Sequence, residues 1–176
     1  MNGFRTVGSR TVAEASFLRL DRAIVMTPDG NAVERVVVVH PGAVAVVPLI
    51  EDDVILIEQH RAAVGRALLE IPAGKLDVPG ERRRDTAVRE LEEEIGYTPR
   101  HLEHLTDMLT TPGFSDECIS IYLGTDLRSV PVRPAGVEED HATIVRMSLA
   151  EGISRVRSGS ITDAKTIAGL LLTAAR

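Results

Sequence analysis

Between Ser16 and His40 two extended segments, SFLRLDRAIVMT and AVERVVVVH, are separated by PDGN. The Pro, Asp and Gly of that linker suit a tight turn, so the pair reads as a β-hairpin. Further on, GAVAVVPLI and VILIEQHR flank EDD, and ALLEI follows. All three are rich in Val, Ile and Leu, as buried strands are, and Pro72 and Gly74 stop the last of them. The period then changes. Val88, Leu91 and Ile95 recur at i, i+3 and i+7, one helical stripe, with Asp85 as the candidate N-cap and Gly96 at the C′ position. HLEHLTDML and CISIYLG read as two more strands joined by TTPGFSDE, and a polar connection from Thr125 to Asp140 leads to a strand ATIVRM. Ser148 and Glu151 form a capping box for one helix, and TDAKTIAGLLLTAAR supplies the last. Strands with helices packed around them in this order predict a mixed α/β sandwich.

The 176 residues, 44% of them hydrophobic, suffice for one substantial core and are short for two full domains. A net charge of -6 argues against coating nucleic acid or an anionic membrane, and leaves a nucleotide open as a small ligand. The start of the chain shows no apolar stretch behind its basic residues, and no run is long enough to span a bilayer. A soluble, cytoplasmic protein is expected. Cys118 is alone, which rules out an intrachain disulfide, and the five histidines show no zinc spacing.

The helix end RELEEEIGY, Arg89 to Tyr97, places four glutamates in five positions. At about 100° per residue, Glu90, Glu93 and Glu94 are expected on the side opposite Val88, Leu91 and Ile95, with Glu92 off toward solvent. Like charges at i,i+4 repel, and carboxylates in a last turn face the negative end of the helix dipole. Arg89 relieves part of this by pairing with Glu93. A solvated acidic face would ordinarily intersperse Lys among the glutamates, and none is present. Hard divalent cations prefer carboxylate oxygens, and Mg²⁺ is commonly held by a few carboxylates plus substrate phosphates. A metal site explains the crowding better than a solvated face.

Taken together, GKLDVPGERRRDTAVRELEEEIGY resembles the Nudix box, G-x5-E-x7-R-E-U-x-E-E-x-G-U with U bulky and apolar. From Glu81 onward the match is complete. Between Gly74 and Glu81 stand six residues where the pattern has five; the extra one precedes the helix and leaves the register of its glutamates untouched. GAVAVVPL, QHRAAVGRALLEIPAG and TPGFSDE are similar to pieces of ADP-ribose pyrophosphatases, a Nudix subfamily, so the likeness spans roughly residues 16 to 176.

The resemblance implies a Nudix α/β/α sandwich with a mixed sheet at 41–176, preceded at 1–40 by a β segment that forms a homodimer. It implies Mg²⁺-dependent hydrolysis of ADP-ribose to AMP and ribose 5-phosphate, with Mn²⁺ as the alternative ion. Glu90 and Glu94 would ligate metal, with Glu93 as a further ligand or orienter and Ala73 contributing its carbonyl. Glu81 and Arg89 would brace these glutamates, and Gly74 and Gly96 would shape the backbone. A late-loop glutamate, Glu139 ahead of Glu138, would act as general base.

Arg61, with Arg66 behind it, is the candidate diphosphate clamp, because guanidinium matches phosphate as a fork. Phe17 and Phe114 are the leading aromatic faces for adenine, each equally suited to packing, and Glu117 could bind metal or ribose. For the run Arg82-Arg83-Arg84 the sequence offers only solubility or anion attraction. Two other functions fit the same box: a pyrophosphatase for another nucleotide sugar or dinucleotide, and a silent ADP-ribose-binding regulator.

Overall fold

The computed structural model describes residues 3–132 and 141–176. Thr27, Asp29 and Asn31 hydrogen-bond to one another around Gly30, whose φ of 86° only a glycine adopts without strain. This turn joins β2 (Leu18–Met26) to β3 (Ala32–Val39) in the expected hairpin. A further strand, β1 (Arg5–Ala15), pairs antiparallel with β2 and completes a three-stranded sheet. Its sequence RTVGSRTVAEA has no alternating apolar face, and nearly every residue is exposed, so period-2 patterning could not reveal it.

The chain divides into two compact units. The first is Met1–Gly42 with Leu109–Cys118; the second is Ala43–Met108 with Ile119–Arg176. In the first, the loop after Leu109 docks on β3: the Val38 N–H donates to the Phe114 carbonyl, and the His40 N–H to Asp116.

The second unit is built on a mixed sheet. Its central strands are β4 (Ala43–Ile50), β5 (Asp53–Arg61), β8 (Tyr97–Leu109), β9 (Cys118–Ser129) and β10 (Thr143–Ser148), in the order β10-β5-β4-β9-β8. β6 (Arg66–Glu70) pairs with β5, and the short β7 (Ala73–Lys75) pairs with β4. The β4–β9 pair is parallel and β4–β5 antiparallel.

Alternation along β4 shows how the layers form. Val44 and Val46 face a core shared with Ile55, Ile57, Ala87, Leu91 and Ile95, and so with helix α1 (Arg83–Ile95). Ala45 and Val47 face the opposite core with Leu56, Ile71, Ile121 and Leu170. Helices α2 (Leu149–Arg157) and α3 (Ala164–Ala174) cover that side. Each of the Val, Leu and Ile side chains contributes roughly 1.5–3 kcal/mol on burial. The result is the α/β/α sandwich expected from the sequence.

Two helix starts differ from expectation. α1 begins at Arg83 with Arg82 as its N-cap residue, and Asp85 falls within the first turn, where its carboxylate takes a two-bond fork from Arg82. At α2, Ser148 caps the Glu151 N–H, but the Glu151 side chain turns to Arg155, so only half of the capping box forms.

Candidate active site

The acidic end of α1 is held against β7 and not turned into solvent. Glu90 is only 7% exposed. A Cβ on Gly74 would lie 1.8 Å from the Glu90 carboxyl carbon, so β7 passes at a distance only glycine permits. One turn later the Ala73 N–H donates to Glu94 Oε2 at 2.9 Å. The helix therefore packs on two sides: Ala87, Leu91 and Ile95 are buried against the sheet, and Glu90 is buried against Gly74, with the half-buried Glu94 bound to Ala73. The expectation that Glu90 points away from the packed side is corrected here. The strand β7, too short for a period to show, supplies that second wall.

Arg89 is the hub of this end. Its Nε and one terminal nitrogen each lie 3.2 Å from the two oxygens of Glu81, while the other nitrogen reaches Glu90 at 2.9 Å and Glu93 at 2.8 Å. Burial works against the guanidinium charge, but the bond to Glu81 and the charges of Glu90 and Glu93 outweigh it and push its pKa above the ordinary value. Glu81, which also accepts from the Thr86 hydroxyl, is held below the usual carboxylate range by the Arg89 hydrogen bond. At the far end Gly96 adopts a left-handed conformation (φ 69°, ψ 38°) and returns its N–H to the Leu91 carbonyl. A side chain there would meet the Val130 carbonyl oxygen at 2.9 Å.

The arginine run, unexplained by sequence, secures the start of the same helix. Arg82 binds Asp85, Arg83 donates to the buried Ser120 hydroxyl at 2.5 Å, and Arg84 donates to the Leu102 carbonyl at 2.6 Å. Ser120 in turn donates to Asp107, which also pairs with His104 and, at 3.8 Å, with Arg83 itself. The Ser120 hydrogen bond, then that with His104, keeps the Asp107 carboxyl below its usual range. Two of these cations thus pin α1 to β8 and β9.

Arg61 ends β5 with its fork closed on Glu70 of β6, at 2.8 and 2.7 Å. Arg66 donates to the Thr162 hydroxyl at 2.9 Å. Phe17, Phe114 and Glu117 all belong to the first unit. Phe17 packs edge-on against His40 at 5.3 Å, and Phe114 is more than half exposed. Glu117 accepts from the Thr110 hydroxyl and lies 3.5 Å from His40 Nε2. Because the Gly42 N–H donates to His40 Nδ1, the proton of the neutral ring sits on Nε2, facing Glu117. Glu138 and Glu139 lie outside the described residues.

Sequence reasoning passed over Glu70, Lys165 and Asp163, which join Arg61 in one network. A carboxylate ending the apolar strand ALLEI was the available signal, since a charge in such a run is rarely buried without a partner.

The donor set at the α1 end suits a cation: the side chains of Glu81, Glu90, Glu93 and Glu94 all offer carboxylate oxygens, the type a hard divalent ion prefers. Among the described residues, no three acidic, histidine or cysteine side chains converge closely enough to hold an ion unaided. Mg²⁺, which keeps several waters and shares substrate phosphates, needs only one or two protein carboxylates and fits such a partial set.

The NUDIX domain profile matches residues 39–167. The chain belongs to the Nudix family. An ADP-ribose pyrophosphatase of Mycobacterium tuberculosis is 41% identical to this Nudix chain over 169 residues, covering 96% of it and 82% of the relative. An ADP-ribose pyrophosphatase of Bacillus subtilis is 35% identical, covering 92% and 88%. A methanol dehydrogenase activator of Bacillus methanolicus is 36% identical, covering 93% and 88%. A crystal structure of an ADP compounds hydrolase superposes with a TM-score of 0.82 at 24% identity, over 98% of this chain and 92% of the other, which shows a shared Nudix fold.

Proposed function

We propose that this Nudix hydrolase cleaves the diphosphate of ADP-ribose, giving AMP and ribose 5-phosphate, with Mg²⁺ or Mn²⁺ held at Glu90 and Glu94. The observation that carries the reading is the placement of these two carboxylates, one turn apart, along the Ala73-Gly74 backbone: Glu90 is buried beside Gly74, and Glu94 accepts from the Ala73 N–H. Carboxylate oxygens gathered on one stretch of backbone are the donors a hard divalent cation prefers. The substrate assignment is supported by the two ADP-ribose pyrophosphatases that align with almost the whole chain.

When bound, the metal would neutralise phosphate oxygens and lower the pKa of an attacking water. The protein's own part is positional. Ala73 fixes Glu94 through its N–H and offers its carbonyl as a further ligand. Arg89 sets the spacing of Glu90 and Glu93, and Glu81 holds Arg89. Arg61 presents a guanidinium for the diphosphate, with Arg66 behind it. Glu139, or its neighbour Glu138, takes the proton of the nucleophile.

The three-stranded sheet exposes Val7, Val12, Ile24 and Val36, apolar surface suited to a second copy of the chain in a cytoplasmic homodimer. No helix among the described residues is long and apolar enough to cross a membrane.

The test is a panel of ADP-ribose, other nucleotide sugars and dinucleotides, each incubated with Mg²⁺ and analysed for AMP. ADP-ribose is expected to give the highest kcat/KM; absence of AMP from it sinks the assignment. Light scattering is expected to give twice the chain mass, and a monomer at micromolar concentration contradicts the dimer.

A further inference from the structure

Behind Arg61 lies a charge network that the hydrolysis scheme does not use. Glu70 is 1% exposed, and both its oxygens are engaged. One accepts from Arg61 Nε; the other accepts from Arg61's terminal nitrogen and from Lys165 Nζ. Lys165, itself buried, pairs with Asp163 at 3.1 Å. Asp163 caps α3 by accepting from the Thr166 N–H, and it also accepts the Thr166 hydroxyl proton, while that hydroxyl accepts the Ile71 N–H. Two cations and two carboxylates therefore balance in one layer between β5, β6 and the first turn of α3, with Glu70 and Lys165 buried and Arg61 reaching the surface.

Burial alone would raise the Glu70 carboxyl, but the Arg61 hydrogen bond and the Lys165 charge outweigh it and hold it ionised below its usual range. Apolar side chains of similar volume would stabilise such a layer as well or better. What charges add is a fixed geometry. With its Nε edge committed to Glu70, the Arg61 side chain is still 41% exposed, and the negative charge of Glu94 is among those that raise the Arg61 pKa. The segment Glu70–Gly74 thus carries the Glu70 fork, the Ala73 N–H on Glu94 and the glycine against Glu90.

We propose that Lys165 and Glu70 are positioning residues that hold Arg61 as a preset anion clamp beside Glu94. Lys165 fixes the second oxygen of Glu70, Glu70 fixes the guanidinium plane, and the exposed part of Arg61 meets the diphosphate without a rotamer search. The α3 helix, through Asp163 and Thr166, locks the same segment. This rests on the diphosphatase reading for its substrate, although the clamp itself requires only a diphosphate.

The experiment is a double-mutant cycle read by calorimetric binding of ADP-ribose and, separately, of inorganic pyrophosphate. The chains compared are wild type, Lys165→Met, Arg61→Ala and the double variant, each checked for native circular dichroism. Lys165→Gln, which retains a donor, replaces Lys165→Met if that chain does not fold, and Lys165→Arg serves as the conservative rescue.

Lys165→Met is expected to weaken binding about tenfold when Arg61 is present and less than about twofold when it is absent. KM is expected to rise more than kcat falls, and Lys165→Arg to restore affinity. Equal losses in both backgrounds would show that Lys165 only supports the fold, and would overturn the proposal. Wild type binding neither compound would overturn it also. If pyrophosphate obeys the cycle while ADP-ribose is neither bound nor cleaved, the positioning role stands and the substrate assignment fails.

Discussion

Two buried clusters of charge sit in the same unit and are built on opposite plans. At the end of α1 one guanidinium, Arg89, serves three carboxylates, Glu81, Glu90 and Glu93. Beneath β6 one carboxylate, Glu70, serves two cations, and Asp163 brings that set to neutrality. The neutral set is closed and complete. The other gathers carboxylates around a single guanidinium, with Glu94 on the next turn held by the Ala73 N–H. The neutral plan suits support; the other offers the oxygen donors that a divalent cation prefers.

Glu94→Gln should break the comparison most sharply. It keeps shape and removes charge, and turnover is expected to fall by about a thousandfold, roughly 4 kcal/mol of barrier, with little change in melting temperature. Steady-state kinetics beside a thermal melt would show it; retained turnover would mean that Glu94 holds no metal.

Glu70→Ala should do the reverse. Leaving Arg61 and Lys165 without their shared anion is expected to cost about 3 kcal/mol in a urea unfolding curve. The pH dependence has a definite sign. Because the folded Glu70 carboxyl is depressed below its ordinary value of 4.5, its contribution is whole above that value and is lost as pH falls through the folded one. The stability gap between wild type and Glu70→Ala is therefore expected to close on acidification below about pH 4.5.

Gly74→Ala sharpens the contrast further. The new methyl would push aside the buried Glu90 side chain, so the fold should lose about 1–3 kcal/mol, and the shift of Glu90 is expected to lower kcat about a hundredfold. Smallest of all is Glu92→Gln, expected within about 0.5 kcal/mol in stability and twofold in rate; a large effect there would show that the division of labour among the glutamates is misassigned.

The sandwich was legible because its strands are long and apolar, and because α1 carries a clean stripe closed by Gly96. β1 was not, since a strand with both faces wet leaves no period. β7 was not, since three residues cannot show one. At the site, the fixed spacing from Glu81 to Gly96 named the glutamates. It could not show that Glu90 is buried, because that depends on where β7 passes. The arginine run looked misplaced from local electrostatics alone, as its partners Ser120 and Leu102 come from strands that follow the helix in sequence. The Glu70 network joins residues 95 apart, a separation that no local pattern spans.

Arg89 has one more consequence, for the order in which the molecule is made. A tethered counterion lets carboxylates gather during folding before any free ion arrives, whereas domains organised around a structural metal stay unfolded without it. Maturation would thereby be uncoupled from loading: a newly made chain is expected to reach its native shape in a metal-poor medium, and a chelator to leave its circular dichroism unchanged.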